Sequence, residues 1–242
     1  MNIIITMAGM GSRFRKAGYK VPKFMIEVKG ETLFEWSMES LTDLYKEQDL
    51  KCIFVVRKED AAREFILDKM RKFEVKNVEV VEIDALTDGQ ATSAILARPY
   101  WNAEEEMVVY NIDTYVESGA IRSEDFRGDG FIPCFNAPGD HWSFVKLDEE
   151  GRAVEVREKQ RISDNCTIGL YYFKSCALYE RIYNEYYADE SHMEKNEKFI
   201  APLYNYMIEK GMDVRISVIP FEKVHVLGTP EEVKVFEGVG RE

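Results

Sequence analysis

Asn2-Ile3-Ile4-Ile5-Thr6-Met7-Ala8-Gly9-Met10-Gly11-Ser12-Arg13 opens the chain and decides how the rest is read. Asn2 to Met7 is a largely apolar run, too short for an ordinary helix and followed at once by glycine. Such a run reads as a strand buried on both faces, in the centre of a parallel sheet. Ala8, Gly9, Gly11 and Ser12 then form a loop whose backbone N–H groups are not hidden by side chains. Ligands of open α/β sheets sit at the carboxyl ends of the strands, and an N–H-rich turn there suits phosphate. Two cations follow, Arg13 directly after the loop and Lys23 after Val21-Pro22. Phe14 stands where a dinucleotide fingerprint needs its third glycine, and the Gly-Lys-Ser/Thr of a Walker loop is absent. A plain turn with solvated cations is the alternative. The joint occurrence of Gly-Met-Gly-Ser-Arg-Phe and Pro-Lys favours a polyphosphate cradle.

Composition narrows the classes. The 242 residues, 45% hydrophobic and 31% charged, suffice for one large α/β domain. No apolar run approaches the ~20 residues that cross a bilayer, and no basic region precedes Ile3, so a cytoplasmic protein without a membrane partner is expected. A net charge of −12 argues against nucleic acid as a partner. It also requires any polyanion to be held by a local cationic pocket. Cys52, Cys134, Cys166 and Cys176 have no CxxC spacing, and His141, His192 and His225 are far apart. Buried free thiols are expected, and no zinc site.

Strand and helix patterns alternate through the first half. Thr32-Leu33-Phe34-Glu35 is a capping box, predicted to start a helix running to about Lys46. Strands are expected at Lys51–Val56, Val78–Ile83 and Met107–Ile112, with helices at Glu59–Phe73 and Gly89–Ala97. After about Ala120 the rhythm changes to short strands, at Phe131–Phe135, Ser143–Leu147, Ala153–Val156 and Cys166–Phe173. Helices are expected at Cys176–Tyr187 and Glu197–Glu209, then a strand at Val214–Ile219 and a helix capped by Thr229. The fold class implied is α/β, a doubly wound, mostly parallel, Rossmann-like sheet with helices on both faces and a small antiparallel region. One domain over residues 1–242 is expected, with 1–120 as a nucleotide-binding half and 121–242 as an acceptor-binding half. A homodimer through the last helices is possible on their apolar faces.

Asp113, in Tyr110-Asn111-Ile112-Asp113-Thr114, is a carboxylate at the end of a buried strand. It can be a ligand for a hard cation or a turn cap. Asp88 can cap the helix after Gly89. Glu158 and Lys159 taken alone are solvated charges.

The block Gly9 to Phe14, with Lys16-Ala17-Gly18-Tyr19, Pro22-Lys23 and Ile26-Glu27-Val28-Lys29-Gly30, resembles the signature of the sugar-phosphate nucleotidylyltransferases, or NDP-sugar pyrophosphorylases. The resemblance is to a short single-domain branch linked to capsule and surface-polysaccharide synthesis, with a GT-A type fold. It implies a Mg2+-dependent transfer of a nucleoside monophosphate from a triphosphate to a phosphorylated acceptor, a sugar phosphate, with pyrophosphate released. The partners are then a nucleoside triphosphate and a small phosphorylated acceptor. Arg13 is expected on the leaving pyrophosphate and Lys23 on the α-phosphoryl and acceptor phosphates. Ala8, Gly9, Gly11, Ser12, Asp84, Gly89, Asn111 and Asp113 are expected to bind nucleotide, with Asp113 also holding the metal. Glu158, Lys159, Gly169 and Glu197 are expected to bind the acceptor. Asp84 stands where thymidylyl and uridylyl relatives often carry Gln; a carboxylate only accepts hydrogen bonds, which favours cytosine or guanine over uracil and is tested as CTP over UTP. The chain departs from the family at Val226, which occupies the place of a second metal-binding Asp; either Mg2+ leans on Asp113, phosphates and water, or His225 or another carboxylate contributes. Two alternatives stand beside this reading: a cytidylyltransferase acting on phosphocholine or a phosphoamino acid, and a non-catalytic nucleotide-sensing module.

Overall fold

β1 (Asn2–Thr6) runs through the middle of a ten-stranded sheet. The structure is a computed structural model and describes residues 1–238. Ile3 and Ile5 pack into one core layer and Ile4 into the other, so the strand is apolar without alternation. The chain leaves β1 through the glycine loop into α1 (Ser12–Lys16), then a small hairpin of β2 (Glu27–Val28) and β3 (Glu31–Thr32), and then α2 (Leu33–Glu39). β4 (Lys51–Arg57), α3 (Arg63–Lys72) and β5 (Asn77–Ile83) follow, with β4 parallel to β1 and β5 parallel to β4. α4 (Gln90–Ile95) leads to β6 (Met107–Asn111), which lies parallel to β1 on its other side. The carboxyl ends of β1 and β6 are thereby neighbours, with Thr6 opposite Asn111. This half has the doubly wound order expected from its strand–helix alternation.

The rest of the chain extends the same sheet. After β7 (Thr114–Val116) come β8 (Gly130–Asn136), β9 (Ser143–Leu147), β10 (Ala153–Glu158), β11 (Asn165–Thr167) and β12 (Leu170–Phe173). β12 pairs antiparallel with β6 and β8, and β11, β9 and β10 continue the antiparallel wing. α5 (Cys176–Tyr186) and α6 (Leu203–Glu209) cover this wing, and β13 (Val214–Ile219) lies parallel to β8. β14 (Val224–Val226) then pairs antiparallel with β7, and α7 (Pro230–Gly238) closes the described chain. Pairing of β14 with β7, and a 2.7 Å bond from the Leu227 N–H to the Asp113 carbonyl, bring residues 226–232 beside Asp113.

Some elements differ from expectation for local reasons. α2 stops at Glu39 rather than near Lys46. Beyond it the chain continues to Lys46 in tighter turns ending in a 3-10 turn at Leu44–Lys46, and the buried Ser40 hydroxyl accepts from the Val116 N–H at 2.9 Å, tying this end of α2 to β7. The strand expected over Cys166–Phe173 breaks at Gly169, whose φ of +82° is a left-handed conformation outside the β region. The helix expected from Glu197 begins at Leu203. Residues 194–197 instead form a tight hairpin, with Lys195 and Asn196 both left-handed at φ +54° and +62°. The four cysteines are buried free thiols, as expected. Among the described residues no helix is long and apolar enough to cross a membrane.

Candidate active site

A cleft of about 760 Å³ opens at the carboxyl ends of β1 and β6, where the parallel half meets the antiparallel wing. Ala8, Gly9, Gly11, Ser12, Arg13, Lys23, Gly89, Asn111 and Asp113 line it from one side. Glu158, Lys159, Gly169 and Glu197 line it from the other. The structure thus brings together every residue expected to bind nucleotide or acceptor except Asp84.

On the first side, Gly11 takes φ +58° as the chain enters α1, and a Cβ there would come within 3.8 Å of Lys23 Cβ. Lys23 follows Pro22 in a turn closed by Met25 N–H to the Pro22 carbonyl at 2.9 Å, with Phe24 buried beneath it. Its stem is therefore fixed, and its ammonium pairs with Asp113 Oδ1 in the short connection between β6 and β7. The lysine side chain is only 16% exposed while the aspartate is 47% exposed, so the pair presents its carboxylate to the cleft. Arg13 is exposed and makes no ion pair among the described residues. Behind them, the Gln90 amide donates to Thr6 Oγ1 at 3.1 Å and to Asn111 Oδ1, tying α4 to both strand ends.

Asp84 is a correction. It follows the last residue of β5, the edge strand, and its side chain is 84% exposed beside Lys58 Nζ at 3.3 Å. It does not line the cleft, which is reached from Leu86 onward. The carboxylate that does line it is Asp88, which accepts from the Thr92 hydroxyl and pairs with Lys198 Nζ at 2.8 Å. Burial works against ionisation of Asp88, but the bonds from Lys198 and Thr92 outweigh it and hold its carboxyl below the usual range.

The two glycines also have nearer reasons than a ligand. A Cβ on Gly89, at φ +144°, would sit 2.4 Å from the Lys198 carbonyl oxygen. Here the 194–198 hairpin docks onto the Asp88–Ala91 turn through Lys198 N–H to the Asp88 carbonyl (2.7 Å) and Ala91 N–H to the Lys198 carbonyl (3.0 Å). A Cβ on Gly169 would meet Asn111 Nδ2 at 2.7 Å. Each glycine lets backbone or side chain of one half press against the other half.

On the second side, Glu158 ends β10 with an 11% exposed side chain, accepts from the Ser143 hydroxyl and lies 3.2 Å from Lys159 Nζ. Lys159 is left-handed at φ +51°, held by a 2.8 Å bond from its N–H to the Trp142 carbonyl. The ammonium of Lys159 lies 4.7 Å from the centre of the Phe199 ring. Tyr171 also lines the cleft; burial, reinforced by Glu158, pushes its phenol up to about 12, so it stays a hydrogen-bond donor. Glu197 is exposed on the hairpin.

The fit to a divalent cation turns on the segment after β14. His225 points away from the cleft, stacked on Tyr115 with Nε2 3.4 Å from Glu117, and the Val226 side chain offers no oxygen. Glu232, which the sequence reading did not single out, lines the cleft, and its Oε2 is buried without a hydrogen-bond partner among the described residues. With Asp113 it makes a hard-oxygen donor set of the kind Mg2+ accepts. No group of three or more His, Cys, Asp or Glu side chains suited to a metal occurs among the described residues, so phosphate oxygens and water would complete the shell.

A mixed sheet whose parallel half carries a glycine loop at the end of β1, with Lys23 and Asp113 on one side of the cleft and Glu158 and Lys159 on the other, has the α/β nucleotidyltransferase fold. The nucleoside-diphosphate-sugar pyrophosphorylase of Vibrio cholerae RC9 superposes with a TM-score of 0.89 and 33% identity, over 98% of this chain and 99% of that one. The present chain belongs to that family of nucleotidyltransferases. The inositol-1-phosphate CTP transferase of T. maritima shares the fold, with a TM-score of 0.76 at 19% identity over 99% of this chain and 98% of that one. Among curated proteins, the bifunctional protein GlmU of Methanocaldococcus jannaschii is 26% identical over 160 residues. That match covers 66% of this chain but 36% of the longer protein. No protein-family model matches the chain.

Proposed function

We propose that this nucleotidyltransferase joins the nucleoside monophosphate of a triphosphate to a sugar phosphate, with Mg2+, and releases pyrophosphate. The observation that carries the reading is the Lys23–Asp113 pair, set between the Gly9–Arg13 loop and the Glu158–Lys159 end of β10. Residues 1–120 hold the triphosphate and the remainder of the chain holds the acceptor. An acceptor phosphate is already ionised near neutral pH, so its oxygen attacks the α-phosphorus without a general base. The obstacles are repulsion between two anions and charge gathering on the leaving pyrophosphate; alignment and fixed cations address both. Arg13, exposed at the loop, receives the pyrophosphate, while Lys23 turns from Asp113 to the α-phosphoryl and acceptor oxygens. Asp113 would hold a magnesium ion, which would supply further positive charge at the phosphate oxygens.

On the acceptor side, Glu158 accepts from sugar hydroxyls and Lys159 receives the phosphate. Occupation of the Phe199 face by the lysine's own ammonium favours a sugar phosphate over phosphocholine, whose trimethylammonium would need such a face. The preference for CTP passes from Asp84 to Asp88, the carboxylate that is in the cleft. A role in surface-glycan assembly follows from that acceptor class.

The test is pyrophosphate release from CTP, UTP, GTP, dTTP and ATP, each against sugar 1-phosphates, phosphocholine and phosphoamino acids. Turnover with a sugar phosphate, faster with CTP than with UTP, is expected. Equal rates with CTP and UTP remove the role of Asp88, and triphosphate binding with silence across the panel removes the reaction. Lys23→Ala should lower turnover on the order of 10²-fold while nucleotide affinity changes far less. A near-normal turnover number contradicts its placement.

A further inference from the structure

Asp113 leaves one oxygen uncommitted. Its Oδ1 is taken by Lys23, whereas Oδ2 faces Gly228, lying 3.7 Å from where a Cβ on that glycine would be. From the other side, Glu232 Oε2 comes within 3.4 Å of the same point. Both carboxylate oxygens therefore lie around the one point where a side chain of residue 228 would begin, and glycine leaves that point free. Gly228 is not left-handed, so its backbone does not demand glycine.

We propose that Glu232 is the second carboxylate on the divalent cation, substituting from α7 for the acid that Val226 lacks, with Gly228 keeping the space between Glu232 and Asp113 clear. The proposal rests on the reading of Asp113 as a metal ligand and adds the residue that completes it.

Three further observations bear on it. Glu232 Oε2 is buried with neither a hydrogen-bond donor nor an ion-pair partner among the described residues, an arrangement that is costly unless something positive fills the gap. Its position is fixed from two directions: its N–H donates to Thr229 Oγ1 at 3.2 Å, and Leu227 is tied to the Asp113 carbonyl. The other group this segment could offer, the His225 imidazole, lies on the opposite face of β14 against Glu117 and Tyr115. A pair of carboxylates with phosphate and water completing the shell is how Mg2+ is commonly held, since it keeps several waters and needs few protein ligands.

The test is binding of Mn2+ alone, as a Mg2+ surrogate, followed by the paramagnetic signal of free Mn2+ and by the rise in unfolding temperature it produces. Glu232→Gln and Asp113→Asn should each weaken Mn2+ binding on the order of tenfold or more and abolish most of the thermal shift. Gly228→Ala is the second variant: its Cβ makes an ordinary contact, so the fold should persist while the methyl fills the gap and Mn2+ binding falls. If Glu232→Gln and Gly228→Ala bind Mn2+ like the wild type while Asp113→Asn does not, the role of Glu232 is overturned and that of Asp113 stands. If Asp113→Asn also binds normally, or the wild type binds no Mn2+, the metal site as a whole fails.

Discussion

α2 and α7 both start on Thr-x-x-Glu, Thr32-Leu33-Phe34-Glu35 in one and Thr229-Pro230-Glu231-Glu232 in the other. In the first, Glu35 turns back: Oε2 accepts from the Thr32 N–H at 3.0 Å and from its hydroxyl at 2.8 Å, and Thr32 Oγ1 accepts from the Glu35 N–H at 3.2 Å. Lys69 of α3 lies 2.9 Å from Oε2 and Lys72 lies 3.3 Å from Oε1, so the buried carboxylate is fully engaged. In the second, Thr229 accepts from the Glu232 N–H, but no bond returns from Oε2. The same four-residue code closes a structural joint in one place and presents a carboxylate to a cleft in the other.

The largest effect expected from this difference is on stability. Glu35→Gln leaves Lys69 without its carboxylate, while Lys72 keeps Glu31 at 2.6 Å, and should lower stability by about 3 kcal/mol at neutral pH, read from the urea midpoint. Glu232→Gln replaces a carboxylate whose Oε2 has no partner among the described residues and should leave the metal-free midpoint unchanged or raise it. Equal losses in the two variants break the comparison.

A pH titration sharpens it. Burial alone would raise the Glu35 carboxyl, but the Thr32 N–H and Lys69 overcome burial and bring it down to about 2, from an ordinary 4.5. A carboxyl depressed in the folded state contributes stability above its unfolded value, and that contribution is lost as pH falls toward the folded value. The wild type should therefore lose about 2 kcal/mol of this contribution between neutral pH and pH 3. Glu35→Gln, having none to lose, should show a correspondingly flatter acid limb.

The same contrast explains what could and could not be read from sequence. β1, the glycine loop, Lys23 and Asp113 were legible because strand burial and strand-end placement follow from short-range pattern. The Thr32 box was legible because both its partners lie within four residues. Glu232 was hidden because the pattern says only that it can cap, and its nearness to Asp113 is set by the pairing of β14 with β7, between segments more than a hundred residues apart. Asp84 was misplaced because counting from Asp88 cannot tell which side of an edge strand a loop residue takes. The left-handed Lys195-Asn196 turn was missed because lysine seldom adopts positive φ, and the docking of Lys198 that holds this hairpin also explains Gly89.

The smallest effect separates the cap itself from the carboxylate it positions. Thr229→Ala removes the acceptor for the Glu232 N–H, and loss of one N-cap bond should cost about 1 kcal/mol in the urea midpoint. Thr32→Ala should cost more, because there the hydroxyl also donates to the buried Glu35 carboxylate, which would lose that donor. If Thr229→Ala is instead the more damaging of the two, α7 depends on its cap in a way the missing return bond does not suggest, and Glu232 would then be a structural residue like Glu35. If the loss is small but Mn2+ affinity falls with it, Thr229 acts by holding the first turn of α7 where its carboxylate meets Asp113.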